Sequence, residues 1–307
     1  MNNILVAAAP KKFKGHEKIT QDNAIRSWTE LFGAQNICLF GDEETAENAK
    51  RLGARYAKPE YSDTNVPLLD SILKIARDSG SDYTLFINSD IILMGDFKDA
   101  FLLLEKISKK PFMMVGRRTN LDLTISLDFD SEWQESLRSL ANKDGILFNE
   151  ESIDYFLFPS NLFTDIPALR IGRPGVDNIL LYRARKIEKI DLIDATPDVQ
   201  VIHQNHDYSY FLGGKPAIYS GKDRDINFEM GGGDYCYYYT ISECNKALKK
   251  NKLKDKRHGF SYYFSKRYLF YKLPVLHPRF RFMTPLLFFL SRTKQRMKRL
   301  IPSLKKN

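Results

Sequence analysis

The chain has 307 residues, enough for one large or two ordinary domains with a substantial core. Its 43% hydrophobic and 13% aromatic content excludes a disordered chain, and its three cysteines, without CxxC spacing, argue against structural zinc and fit a reducing, cytoplasmic setting. The net charge of +9 hides two unlike parts: residues 248–307 hold 18 Lys and Arg against the single acid Asp255, and residues 1–247 hold 29 basic against 37 acidic side chains.

"NILVAAA" reads as a first strand rather than a signal peptide, since no basic flank precedes it. "ITQDNAIRSWTELF" has helical apolar spacing with Thr20 as its cap. "NICLFGDE" is a second strand, and "ETAENAKRLG" a short helix closed by Gly53. "VPLLDSILKIARDSG" is a helix with Pro67 in its first turn and Gly80 past its end. "DYTLFINSD" is a strand, "FKDAFLLLEKISK" a helix and "PFMMVGRR" a strand. This alternation of doubly apolar strands with helices predicts a parallel-type sheet covered on both faces. Further on, "SEWQESLRSLANKDG" reads as a helix, "IDYFLFP" as a strand, and "GRPGVDNILLYRARK" as a turn and helix. "LIDATPDVQVIHQNHDYSY" supplies one or two strands and a polar loop.

Ligands of open α/β sheets bind beyond the carboxyl ends of strands. The residues leaving those strands are Ala8-Ala9-Pro10, Gly41-Asp42, Asn88-Ser89-Asp90 and Arg117-Arg118. Small residues admit a planar base, Asp42 could accept from a base or ribose, and the arginines could meet phosphates. Asp90, with small neighbours, could hold Mg²⁺ or Mn²⁺ beside a diphosphate; Asn-Ser-Asp is also ordinary turn chemistry. No GxGxxG or GxxxxGK[ST] run is present.

"RIGRPGVDNILLYRA" offers a glycine-rich turn (Gly172, Gly175) into a helix with Asp177 in its first turn. The helix dipole would keep that acid ionised for work as a base, or it could simply cap the helix. "VIHQNHDYSY" sets His203 and His206 after an apolar run, either as metal ligands or as a polar loop. "NFEMGGGDYCYYYT" could form an acceptor loop, although half-buried tyrosine packing is the preferred reading there.

Together these features resemble nucleotide-sugar-dependent glycosyltransferases of the GT-A fold, the bacterial family 2-like kind, over about residues 3 to 245. The resemblance implies a GT-A-like Rossmann-type mixed sheet flanked by helices in residues 1–247, with Asn88-Ser89-Asp90 as a variant of the D-x-D motif. It implies Mn²⁺ or Mg²⁺ on Asp90 and His203, with His206 close behind, and a nucleotide diphosphate sugar contacted by Ala8, Pro10, Asp42, Asn88, Ser89, Asp90, Arg117, Arg118 and Gly172. Asp177 would be the base toward a glycan or lipid-linked acceptor hydroxyl, while the metal and arginines stabilise the leaving diphosphate. The chain departs from the family pattern in Asn88, which replaces the motif's first acid, and in Val176, where a glutamate is usual.

The basic, aromatic segment 248–307 reads as a helical extension broken by Pro274, Pro278, Pro285 and Pro302. Its composition suits an anionic membrane surface rather than nucleic acid, so the expected location is the inner face of the membrane. Its longest late apolar run, "PLLFFL", falls far short of the ~20 residues that span a bilayer. A sugar-phosphate nucleotidyltransferase and a non-catalytic binding protein are the rival readings; the first would carry a glycine-rich basic loop after the first strand, where this chain has "AAAPKKFKG".

Overall fold

A computed structural model of the chain describes residues 3–206, 221–232 and 239–264, with isolated positions beyond. It is an α/β structure: a large mixed sheet flanked by helices, as expected, with a smaller sheet at one end.

Strand β1 (Ile4–Ala8) is buried throughout and lies between β2 (Ile37–Phe40) and β4 (Tyr83–Ile87), parallel to both. Beyond β2 lies β3 (Arg55–Ala57), a short strand the sequence pattern does not announce because two of its three residues are exposed. On the other side, β9 (Tyr155–Pro159) runs antiparallel to β4 and to β6 (Phe112–Val115). Next come β10 (Asp191–Asp194) and β12 (Lys246–Leu248), parallel to β6 and to each other in turn, then antiparallel β13 (Leu253–Asp255). The sheet is therefore mixed rather than wholly parallel, and its last strand ends past residue 247. The smaller sheet has the order β5 (Ile91–Ile92), β11 (Val201–Gln204), β7 (Arg118–Leu121), β8 (Ile146–Leu147).

Alternation along the strands feeds two cores. Val6, Ala8, Leu39, Leu85 and Ile87 meet α1 (Gly15–Phe32) and α4 (Gly95–Ile107) through Ile25, Trp28, Phe97 and Phe101. Leu5, Ala7, Phe40 and Phe86 meet α3 (Leu69–Asp78) and α6 (Val176–Tyr182) through Leu69, Ile72 and Leu180. Trp28 is fully buried, so cutting it to alanine would cost about 3–5 kcal/mol. Its indole N–H also donates to Ile91 O at 2.9 Å, fixing α1 against the segment after β4. A third cluster (Ile92, Leu121, Trp133, Ile202) packs the small sheet on α5 (Trp133–Asp144).

Several expected boundaries move. Helix α1 begins before Thr20, whose hydroxyl donates back to Glu17 O, so Thr20 is an interior residue. Pro67 precedes α3 and makes a bridge with Tyr61, because Leu68 is the cap. "PFMMVGRR" splits between two sheets at Gly116, where a Cβ would collide with the Tyr155 hydroxyl. The remaining α-helices among the described residues are α2 (Glu43–Arg51), α7 (Lys222–Met230) and the single turn α8 (Phe260–Tyr263). The expected helical extension, apart from residues 248–264, and the Gly233–Tyr238 stretch lie outside the described residues. Among the described residues no helix is long and apolar enough to cross a membrane.

Candidate metal-binding site

Beyond Ile87 the chain leaves β4 and turns, with Ile91 N donating to Asn88 O at 3.2 Å. The turn points Asp90 inward, leaving it 8% exposed. Two buried amides fix this turn. Gln21 of α1 accepts from the Ser89 hydroxyl at 2.9 Å; Gln204 of β11 donates to Asp90 O at 3.2 Å and to Thr20 O at 2.7 Å.

The small sheet supplies the histidines. β5 pairs antiparallel with β11, setting His203 opposite Ile91, so its imidazole arrives beside Asp90. Asp90 Oδ2 lies 3.9 Å from His203 Nε2 and 3.1 Å from His206 Nε2, and one donor atom from each of the three residues fits within 4.8 Å of the others. A hard or borderline divalent ion bound at about 2.1 Å brings neighbouring donors to about 3 Å, so a small contraction would complete the set. The residues fit a metal: Asp90 Oδ1 and His203 Nδ1 are buried without hydrogen-bond partners, and one carboxylate with two imidazoles suits Mn²⁺ better than all-oxygen Mg²⁺. Burial alone would raise the Asp90 pKa, but His203, cationic in the acid range where Asp90 titrates, together with the His206 hydrogen bond and the Lys11 ammonium, outweighs it and holds the carboxyl well below the usual range. Burial lowers the His203 pKa against the pull of Asp90, which favours the neutral imidazole that a metal would need.

A second group joins this one at the end of β4. Because β9 is antiparallel to β4, its start meets the end of β4: Asn88 N donates to Asp154 O at 2.9 Å, and Asn88 Nδ2 to Asp154 Oδ1 at 2.7 Å. Asp154 Oδ2 in turn accepts from Arg118 Nη1 at 2.8 Å in a buried ion pair. The charges of both residues act on His203 and on Asp177. Asp177 departs from the expectation of an acid kept ionised by the helix dipole. Burial pushes its pKa up to about 7 and Asp154 adds to the rise, together outweighing the backbone N–H groups of Asn178 and Asp177 at the helix start, which lower it. Gly175, at φ +102°, sets the turn into α6.

The other residues expected at the site divide. Ala8 is buried at the end of β1, with Pro10 partly exposed after it. Asp42 is exposed and caps α2, accepting from Thr45 N at 3.1 Å. Gly172 is exposed at φ +70°, with open space around it. Arg117 and Arg118 do not act together. Arg117 Nε donates to Phe148 O at 2.6 Å and lines a separate open hollow of about 440 Å³ with Asp96, Arg138 and Gln200. The sequence assigns no role to Asp154, Lys11, Gln21 or Gln204, although the basic run after β1 is the signal that could have singled out Lys11.

No protein-family model matches this chain, and no curated protein does. Among solved structures it is similar to mannose-1-phosphate geranyltransferase from Thermus thermophilus, at 12% identity over 52% of this chain and 57% of that one, with a TM-score of 0.31. The chain thus spans little more than half of that protein. It is also similar to a cytidylyltransferase from Leptospira borgpetersenii serovar Hardjo-bovis (12% identity, 65% of this chain, 78% of that one, TM-score 0.41). A third is glucosyl-3-phosphoglycerate synthase from Mycobacterium tuberculosis, solved with Mn²⁺, uridine diphosphate and phosphoglyceric acid (16% identity, 67% and 72%, TM-score 0.41). At such distances no residue role passes from these proteins to this chain.

Proposed function

We propose that this chain is a metal-dependent transferase that takes a sugar from a nucleotide diphosphate sugar and delivers it to a hydroxyl of a glycan or lipid-linked acceptor. The observation that carries the reading is the meeting of Asp90, His203 and His206 at the carboxyl end of β4, where open α/β sheets bind ligands. Mn²⁺ is the favoured ion, and when bound it would supply a Lewis acid for the leaving diphosphate. Arg118 holds a fixed positive charge near the same end, tied down by Asp154, while Arg117 is turned away. Asp177, poised near neutrality, can take the proton of an attacking hydroxyl at physiological pH. Ala8, Pro10, Asp42 and Gly172 are assigned to the donor's nucleoside and sugar. The basic segment 248–307 is assigned to the cytoplasmic face of an anionic membrane, which vesicle co-sedimentation tests.

Calorimetric titration of UDP, GDP and their sugars with and without Mn²⁺ tests the central claim. Nucleotide binding that needs both Mn²⁺ and Asp90, and is lost in Asp90→Ala and His203→Ala, supports it. Binding that ignores metal and both substitutions removes it. A second reading, a sugar-phosphate nucleotidyltransferase, draws on Lys11, a base on the loop after β1 whose ammonium reaches Asp90. Release of pyrophosphate from a nucleoside triphosphate would decide for that reading, and release of nucleoside diphosphate from a nucleotide sugar against it.

A further inference from the structure

The atoms that would grip a metal already face a cation. Lys11 Nζ lies 3.1 Å from His206 Nε2 and 3.6 Å from Asp90 Oδ2. An ammonium can only donate, and an imidazole nitrogen has a single lone pair. If Lys11 donates to His206 Nε2, that lone pair is taken. If Nε2 carries a proton toward Asp90, it is equally closed to a metal. A divalent ion on these donors would also sit within about 5 Å of the ammonium, close enough for strong like-charge repulsion where water is largely excluded.

The placement of Lys11 is built. Buried Gln21 accepts from Lys11 N at 2.7 Å and donates to Lys11 O at 3.2 Å, while the same amide oxygen takes the Ser89 hydroxyl next to Asp90. The backbone at 11 is therefore locked to the turn that carries Asp90, and the side chain is the part left to move. That side chain keeps 30% of its surface in solvent, so an outward path is open.

We infer that Lys11 is the resident cation of the metal-free site: a divalent metal and the Lys11 ammonium alternate on Asp90 and His206, and the displaced ammonium, tethered at the mouth, pairs with the diphosphate of the donor. This deepens the proposed function and rests on its metal site. It makes metal and nucleotide binding cooperative, because the nucleotide offers the expelled lysine a new anion.

The test is calorimetric titration of Mn²⁺ alone into wild type, Lys11→Met and Asp90→Ala, followed by UDP at saturating Mn²⁺. Circular dichroism confirms that each variant is folded. Lys11→Met should bind Mn²⁺ about tenfold tighter or more, the order expected when a like charge at this range is removed. It should also bind UDP more weakly than wild type, and UDP should tighten Mn²⁺ by a smaller factor than it does in wild type. A gain in metal affinity is not what a merely damaged site gives. Equal or weaker Mn²⁺ binding by folded Lys11→Met overturns the exchange while leaving the metal site standing. Absence of Mn²⁺ binding in both wild type and Lys11→Met overturns the exchange and the metal site together.

Discussion

Gln204 is where the candidate site can be tested without touching a ligand. Its side chain is fully buried, donates to Thr20 O and Asp90 O, and accepts from Asn23 Nδ2 at 2.9 Å. Gln204→Leu keeps the volume and removes all three hydrogen bonds. None of the partners is wholly abandoned: Asp90 O keeps the Gln204 backbone N–H at 3.3 Å, and Asn23 Nδ2 keeps Ile125 O at 3.0 Å. Three bonds at about 1 kcal/mol each, less about 1 kcal/mol regained by burying leucine, leave a loss of about 2 kcal/mol. Urea unfolding at matched pH reads that loss directly. The same change frees the turn that aims Asp90 and the strand that carries His203, so Mn²⁺ affinity should fall about tenfold, as for other residues that orient metal ligands. A protein that loses less than ~0.5 kcal/mol and binds Mn²⁺ as before would show that the amide does not hold Asp90, and the account of how α1 and β11 build the site would fail.

Asp177→Asn should change how stability depends on pH. A carboxyl whose folded pKa stands near 7 binds more protons folded than unfolded, so wild-type stability declines as pH rises from about 4 to about 7. The asparagine variant should lack that decline and be ~2–4 kcal/mol more stable relative to wild type at pH 8 than at pH 4, read by denaturation across pH. Asp154→Asn breaks the buried pair with Arg118 and should cost about 3 kcal/mol. It should also move the Asp177 titration, followed by NMR, toward acid, since Asp154 helps raise it; an unmoved titration would separate the two residues. Asp42→Ala should lose about 1 kcal/mol of helix capping in urea. UDP affinity unchanged in that variant would leave Asp42 a cap and nothing more.

The strands and helices of the first half were legible because each is long and apolar on a clear period. Ile4–Ala8 and Tyr83–Ile87 are buried on both faces, and α4 presents Phe97, Ala100, Phe101 and Leu104 at helical spacing. What escaped was set by contacts far along the chain. Periodicity carries no strand direction, so it could not show that β9 enters the sheet antiparallel. Nor could it show that "PFMMVGRR" breaks at Gly116, or that a side chain there would meet the Tyr155 hydroxyl, a contact made by a residue 39 positions further along the chain. The dipole argument for Asp177 failed similarly, because local sequence shows a helix start but not the burial that outweighs it.

Asp90 and the histidines were legible individually, and their meeting has a topological cause. The antiparallel entry of β9 brings Asp154 to Asn88 at the strand end where the Asp90 carboxylate is already turned inward. The pairing of β5 with β11 then carries His206 to Asp90 across 116 residues of sequence. With Lys11 and Arg118, the described residues of this cluster set three acids, Asp90, Asp154 and Asp177, against two fixed cations and two histidines. Among the described residues Lys11 faces Asp90 and Arg118 faces Asp154, and Asp177 is the acid held near neutrality. If a metal takes Asp90 and displaces Lys11, the balance shifts by one positive charge at the mouth, where a diphosphate could compensate it. The charge pattern thus favours an anionic ligand that arrives with the metal over one that binds without it.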